Sequence, residues 1–223
     1  MPDAEANPAA PTLPALTALI ADGVLDADLA ALLWILSERG VPLVAAADDL
    51  VAARALRNSL ADLLPADRRS TDVRLAGGVV AGSSLEDVLR LLGGRPGDPL
   101  PDDARDLGVV VIVADGRVAS GHYVRPVERD GAGHLQRRPP AVLSARDRDS
   151  GRLDHFHWGI TDELAARAGM TREELEDAQS DRARLLDDLA VAGVRDAGGL
   201  RRQVEQAALS RPAGAAFGND ARN

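Results

Sequence analysis

Two histidines separated by a single residue, His155 and His157, have the spacing best suited to binding a metal. On an extended strand, residues i and i+2 share a face, and two imidazoles on one face can chelate zinc or iron. A third ligand would have to come from His122, His134 or Asp154. Because the sequence does not fix which of these would join the pair as a third ligand, we predict no metal, although a metal-dependent enzyme using the two histidines stays an alternative.

The same run predicts which face of its strand is buried. Strict alternation puts Phe156 and Trp158 on one face and His155 and His157 on the other. Since the aromatic rings are the more apolar side chains, we expect the aromatic face to pack on the core. The histidines should then point away from the core, toward solvent or an interface.

A strand–turn–helix pattern over residues 41–64 could hold a phosphate-binding loop. In the frame G-x-x-x-x-G-K-[ST], glycines let backbone amides wrap a phosphate, the lysine neutralises it and the hydroxyl holds magnesium. The four signature positions of this frame fall on Ala47, Ala52, Ala53 and Arg54. Both glycine positions carry a Cβ, and neither the lysine nor the hydroxyl remains. We therefore predict no bound nucleotide, no cofactor and no catalytic residue here.

The turn also carries two carboxylates. Asp48 or Asp49 is expected to cap the following helix, at the end of the helix dipole that otherwise attracts an anion. A phosphate placed there would meet two negative charges. A nucleotide hydrolase with a relocated site would need a substitute cation, and Arg54 and Arg57 are the nearest candidates.

The amino-acid composition excludes several classes of protein function and chemistry. The chain has 223 residues, 45% of them hydrophobic and 2% aromatic, with no cysteine and a net charge of −9. This is enough apolar material for a core, and the absence of cysteine excludes disulfides and thiol nucleophiles. Every basic residue is arginine, which excludes Schiff-base chemistry, and the acidic balance argues against nucleic-acid binding. With no membrane-length apolar run and no leader-like start, we expect a cytoplasmic protein without membrane insertion.

Periodicity and capping residues predict an α/β protein whose second half is antiparallel. The elements expected in the first half are helices over 13–20 and from Asp26 or Asp28 to Gly40, a strand over 41–47, a helix ending at Pro65, a strand over Thr71–Ala76 and a helix capped by Ser84. The expected meander has strands over 108–114, 117–128, 134–144 and 152–159. Helices starting at Thr161, at the capping box of Thr171 and near Leu200 should follow.

These patterns divide the chain into six parts. They are a disordered tail (1–12), an α/β part (13–94), a loop (95–107), an antiparallel meander (108–160), C-terminal helices (161–209) and a second disordered tail (210–223). The meander carries eight arginines against four acidic residues over 117–152, in a chain that is acidic as a whole. Such a basic face either is simply solvated or docks an acidic partner.

The run from Leu13 to Pro65 resembles the beginning of the NTPase domain of the type II/type IV secretion ATPases, especially the pilus-assembly branch. Gly23-Val24-Leu25 and Val41-Pro42-Leu43-Val44 fall at the places of that family's turn and strand. The stretch 80–89 resembles the family's histidine box and its following helix, with Ala81 at the histidine position. Residues 108–160 resemble its closing strand meander.

This resemblance implies a truncated and degenerate relative of a P-loop NTPase. Only about fifteen residues, Ala66–Val80, separate the first two matching blocks, which leaves no counterpart of the family's acidic box or Walker B carboxylate. We therefore expect a protein without ATP hydrolysis that binds a protein partner, such as an active paralogue or a pilus or secretion component, with oligomerisation possible. An active ATPase with an atypical site and a decaying gene product are the alternatives.

Overall fold

The computed structural model describes residues 14–64, 78–93, 107–129, 131–132, 134–136 and 138–209. Within these ranges the α-helices are α1 (Leu16–Ala21), α2 (Ala27–Glu38), α3 (Leu50–Ala61), α4 (Leu85–Gly93), α5 (Thr161–Ala168), α6 (Arg172–Val191) and α7 (Ala197–Leu209). The strands are β1 (Leu43–Ala47), β2 (Val79–Ala81), β3 (Val109–Ala114), β4 (Arg117–Tyr123), β5 (Glu128–Arg129), β6 (Leu135–Gln136), β7 (Ala141–Arg146) and β8 (Leu153–His155). Both expected tails, the expected strand Thr71–Ala76 and residues 95–106 of the expected loop lie outside the described residues.

Six of these strands form one mixed sheet in the order β2-β1-β3-β4-β7-β8. Strand β1 pairs in parallel with β2 and with β3, where Leu43 lies opposite Val109 and Ala47 opposite Val113. From β3 onward every pairing is antiparallel. The predicted α/β class, with parallel strands followed by an antiparallel meander, is confirmed.

Both faces of the parallel strands are buried, because helices cover each side. Alternate residues of β1 and β3 face α1, α2 and α3 in the larger hydrophobic cluster. The residues between them face α4 in a smaller cluster around Val88. This two-sided burial explains why 43–47 and 109–114 read as continuous apolar runs with no polar alternation.

The second helix, α2, is buried over most of its length between the sheet and α6. It begins where the side chain of Asp26 accepts a hydrogen bond from Leu29 N at 2.9 Å, as the capping pattern predicted. It ends where Gly40 takes a φ of +78° and Val41 N donates to Leu36 O at 2.9 Å. That geometry is a Schellman closure, in which glycine avoids the Cβ clash of the left-handed conformation.

Two further capping predictions, at Ser84 and Thr171, are also confirmed. The Ser84 hydroxyl accepts from Asp87 N at 3.1 Å at the start of α4. At α6, Thr171 Oγ1 accepts from Glu174 N at 3.2 Å, and Glu174 Oε2 accepts from Thr171 N at 2.7 Å. Although α6 spans 20 residues, it is strongly charged, and no helix in the described part of the chain is long and apolar enough to cross a membrane.

The meander strands are shorter than expected, and prolines account for two of the differences. Strand β4 ends at Tyr123 and not at 128, since Pro126 has no N–H to continue the ladder. Strand β7 starts at Ala141 and not at 134, because Pro139 and Pro140 precede it. The hairpin at Asp115-Gly116 is confirmed, with φ values of +50° and +71° that fit a type I′ turn.

The last meander strand differs most from the expectation. Strand β8 stops at His155, and a 3₁₀ turn occupies His157–Ile160 where the sequence predicted continued strand. The hydroxyl of Thr161 closes this turn, lying 3.2 Å from His157 O and 3.3 Å from Trp158 O. A local side-chain hydrogen bond of this kind competes with strand pairing.

Candidate functional site

The loop between β1 and α3 is the place where a phosphate would sit if the signature positions were functional. Asp49 caps α3 there, and its Oδ1 accepts a hydrogen bond from Val51 N at 2.9 Å. The carbonyl of Ala47, at the end of β1, accepts from Gly82 N at 3.2 Å. One of the first amides of α3, Val51 N, is therefore held by a side-chain carboxylate of the protein, in the position that an anion takes at an open helix end.

The other signature positions are also unsuited to phosphate. Ala53, at the lysine position, is fully buried in the core under α3, and Ala52 is half-buried. Arg54 is exposed on the outer side of the helix. Arg57 lies beside Gly78. The carbonyl of Leu43 is also close to Gly78, since a Cβ added to this glycine would touch it. Since Leu43 and Gly78 stand at the amino ends of their strands, Arg57 is at the opposite end of the sheet from the loop.

The expected orientation of the histidine run is wrong. Both imidazoles are half-buried on the covered side of the sheet, whereas Phe156 is 45% exposed and Trp158 is 70% exposed. The reason is that polar partners at the start of α2 and on α6 satisfy one nitrogen of each imidazole, which offsets part of the cost of burying the rings. Hydrophobicity along the run could not reveal those partners, which lie 22 or more residues away in sequence.

His155 is bound to the cap of α2. Its Nε2 lies 2.8 Å from Asp26 Oδ2, while Asp26 Oδ1 accepts from Leu29 N. The hydrogen bond that His155 donates to Asp26 raises the pKa of His155 above its ordinary value, outweighing the opposing effect of burial. Burial acts to raise the pKa of Asp26, but the hydrogen bonds from His155 and Leu29 outweigh it, so that pKa is lowered. Both shifts favour an imidazolium paired with a carboxylate.

His157 is held by α6. Gln179 Nε2 lies 3.3 Å from His157 Nε2 and also 3.3 Å from the carbonyl of Asp28. Because that amide group donates to the carbonyl, we assign His157 Nε2 as an acceptor, with the ring proton on Nδ1. Burial lowers the pKa of His157, and the charge of His155 lowers it further. The two rings meet edge to face, with centroids 5.7 Å apart.

These residues line a cleft of about 630 Å³ between the start of α2, β8 with its 3₁₀ turn, and α6. Its lining comprises Asp26, Ala27, Asp28, His155, His157, Glu176, Gln179, Ser180, Ala183, Arg184 and Asp187. Four carboxylates against one arginine make the lining acidic. Of all the candidate residues, only His155 and His157 are brought together here. Asp26 was predicted as a helix cap alone, and no sequence signal pointed to Gln179.

The ring nitrogens of the cleft are poorly placed for catalysis. Nε2 of His155 faces Asp26 and Nε2 of His157 faces Gln179. Nδ1 of each ring is buried, and the backbone of Leu143 makes a further hydrogen-bond contact with the His157 ring. No nitrogen is thus presented to the cleft for proton transfer unless an existing contact breaks.

The described residues also hold no group of three histidine, aspartate or glutamate side chains arranged to bind a metal. Of the three candidate third ligands, His122 lies on β4 with Nε2 2.9 Å from Ser120 Oγ, and burial lowers its pKa. Asp154 is exposed on β8, and His134 is exposed ahead of β6. His155 and His157 make a structural contact among three elements: β8 with its 3₁₀ turn, the start of α2, and α6.

Some of the arginines on the predicted basic surface of the meander form ion pairs and hydrogen bonds within the protein. Arg125 pairs with Glu163 of α5 at 2.6 Å, and Arg138 lies 3.4 Å from the same carboxylate. Arg146 donates to four backbone carbonyls in the turn before α2 and around β7. These arginines fasten the meander to the helical layer, which limits the charge available to an acidic partner.

The exposure of Trp158 predicts a small energetic role in the fold. Trp158→Ala should change the free energy of unfolding by about 0.5 kcal/mol or less, as surface substitutions do, because the ring is mostly solvated. Urea unfolding of the two purified chains would measure it. A loss of several kcal/mol would mean that the ring is packed, as the sequence pattern first suggested.

The chain matches no protein-family model and no curated protein. What the structure defines is a class: an α/β protein with a six-stranded mixed sheet, covered on one face by most of its helices.

Proposed function

We propose that this protein is a catalytically inactive relative of the secretion ATPases that binds a protein partner in a pilus or secretion assembly. The observation that carries the proposal is the closed start of α3, where the Asp49 carboxylate holds Val51 N. A phosphate would have to displace that carboxylate and would find a buried alanine at the lysine position. The parallel β1–β3 arrangement with α3 after β1 is compatible with the resemblance seen in the sequence.

A partner-binding role is supported by the exposed aromatic residues. Two of the five aromatic side chains of the chain, Phe156 and Trp158, are largely solvent-exposed and lie two residues apart. Exposed aromatic pairs are costly to leave in water, and such side chains are enriched where proteins contact one another. The contacts of His155 and His157 with Asp26 and Gln179 fix the backbone on the opposite side of the exposed Phe156 and Trp158 rings, which keeps those two rings in place.

Calorimetric titration with Mg-ATP tests the inactive site. We expect no binding tighter than the millimolar range, about −4 kcal/mol, because no residue neutralises the phosphates. Asp49→Asn is the matched control, since asparagine keeps the cap and removes the charge. Binding that appears only in Asp49→Asn would trace the block to that carboxylate, and a micromolar dissociation constant for the natural chain would overturn the proposal.

The assembly role is tested with the pilus or secretion ATPase encoded in the same genome. The purified chain should co-migrate with that ATPase in size-exclusion chromatography, and Trp158→Ala should weaken the complex without unfolding the chain. Undiminished binding by Trp158→Ala would place the contact elsewhere on the surface. No complex with the ATPase at micromolar concentrations would contradict this role.

A further inference from the structure

We propose that His155 and His157 form a pH-responsive clasp that fastens residues 153–160 to the start of α2 and to α6 near neutral pH, and that acidification breaks its contact with α6. The proposal goes beyond the function above and does not depend on it. It follows from the meeting of three elements in one cleft, with one imidazole bound to each helix. The two Nε2 atoms have opposite roles, since that of His155 donates to Asp26 and that of His157 accepts from Gln179.

Near neutral pH both contacts hold. His155 donates from Nε2 to Asp26, while neutral His157 accepts from Gln179. Gln179 is itself tied to the carbonyl of Asp28. The segment is thus connected at one point to the start of α2 and at the next to the middle of α6.

Protonation of His157 breaks the second contact. An imidazolium has a hydrogen on Nε2 and can no longer accept from Gln179. It would also stand beside a second positive ring, since the centroids of His155 and His157 are 5.7 Å apart. The lowered pKa of His157 agrees with this, because burial and the charge of His155 both oppose its protonation in the closed state.

Other charges face the pair from every surrounding element. They are Asp26 and Asp28 on α2, Asp154 on β8, Arg146 on β7, and Glu176, Arg184 and Asp187 on α6. Asp28 and Asp26 favour protonation of His157, yet its pKa stays below the ordinary value. Burial at this position therefore outweighs the acidic surroundings.

The two histidines act on stability in opposite pH ranges. His155 has a raised pKa, so its contribution is fully present below 6.5 and is lost as pH rises through its folded pKa. His157 has a lowered pKa, so it destabilises the closed form as pH falls below 6.5 toward its folded pKa. Loss of the proton from His155 leaves a neutral N–H that still donates to Asp26, so release occurs on the acid side.

Histidine titration by NMR on the full chain is the first test. We expect His157 to titrate below 6.5 and His155 above it. Asp26→Asn should lower the His155 midpoint while keeping the cap of α2. A His157 midpoint at or above 6.5 in the natural chain would overturn the clasp, whatever the behaviour of the variants.

Amide hydrogen exchange is the second test, measured at about pH 7.5 and about pH 5.5 with correction for the intrinsic rate. Protection of residues 153–160 should fall on acidification, by up to about tenfold for each unit by which the His157 pKa is lowered. His157→Gln should abolish the difference, because glutamine does not titrate. Asp177→Asn, an exposed charge removed from the same helix, should behave like the natural chain. An equal fall in His157→Gln, or in α3, would refute the proposal.

Discussion

Replacing Glu38 by alanine is expected to lower the free energy of unfolding by about 3–5 kcal/mol. Glu38 ends α2, and its Oε2 accepts from Arg182 Nη2 at 2.5 Å. Arg182 is only 4% exposed and lies on α6, with its guanidinium carbon 4.3 Å from the centre of the Trp34 ring. Alanine would take this carboxylate away from a guanidinium buried in the interface between α2 and α6, so less of the lost hydration of Arg182 would be offset.

Urea unfolding of the natural chain and the variant would measure the effect. The control is the double variant Glu38→Ala with Arg182→Met, which removes the charge and keeps a long side chain in the interface. It should recover most of the loss, since replacing a whole buried pair by apolar groups is often neutral. A loss below about 1 kcal/mol in the single variant would class this contact with exposed ion pairs and contradict the prediction.

The elements that local sequence could predict are those whose determinants are themselves local. The capping box at Thr171, the N-cap at Asp26 and the turn at Asp115-Gly116 each depend on residues within one helical turn or one hairpin. Strand ends in the meander were misjudged where proline interrupts hydrogen bonding, although Pro126 was visible in the sequence. There the apolar pattern was followed past a residue that has no N–H to donate.

The candidate site could be predicted only in part, for a different physical reason. The pairing of His155 with Asp26 joins residues 129 positions apart, and nothing near either residue indicates the other. When that partner is not known, the alternation of the strand favours burying Phe156, so the sequence predicts that the aromatic face is the buried one. A buried polar face is recognisable only when its hydrogen-bond partners are known, so the sequence pattern necessarily selects the more apolar one.

The loop after β1 shows the reverse case. The residues at the four positions of the phosphate-binding frame, Ala47, Ala52, Ala53 and Arg54, could be judged from the motif alone, because the frame assigns a role to each residue. The structure adds that Asp49 holds Val51 N and that Ala53 is buried. Helix α3 packs against β1, β2 and α1.

The buried face of α3 is defined by Leu56 and Leu60, which are 1% and 2% exposed in the larger hydrophobic cluster. Between them, Ser59 places its hydroxyl oxygen 2.6 Å from the carbonyl of Pro14 and 2.7 Å from that of Ala55. Contacts with α1, β1 and β2 surround this end of the helix. The site is enclosed on several sides, so neighbouring groups have little freedom to fill a space created there.

Leu60→Ala is accordingly expected to lower the free energy of unfolding by about 2–5 kcal/mol, from lost burial and from the cavity that remains. Leu91→Ala on α4 is the matched control, because it deletes the same atoms from a side chain that is 58% exposed. The control should change stability by about 0.5 kcal/mol or less. Denaturant melts of the two variants beside the natural chain compare them directly. If Leu60→Ala cost no more than Leu91→Ala, α3 would have to present a different face to the sheet, and the placement of Ala53 and Asp49 at its start would change with it.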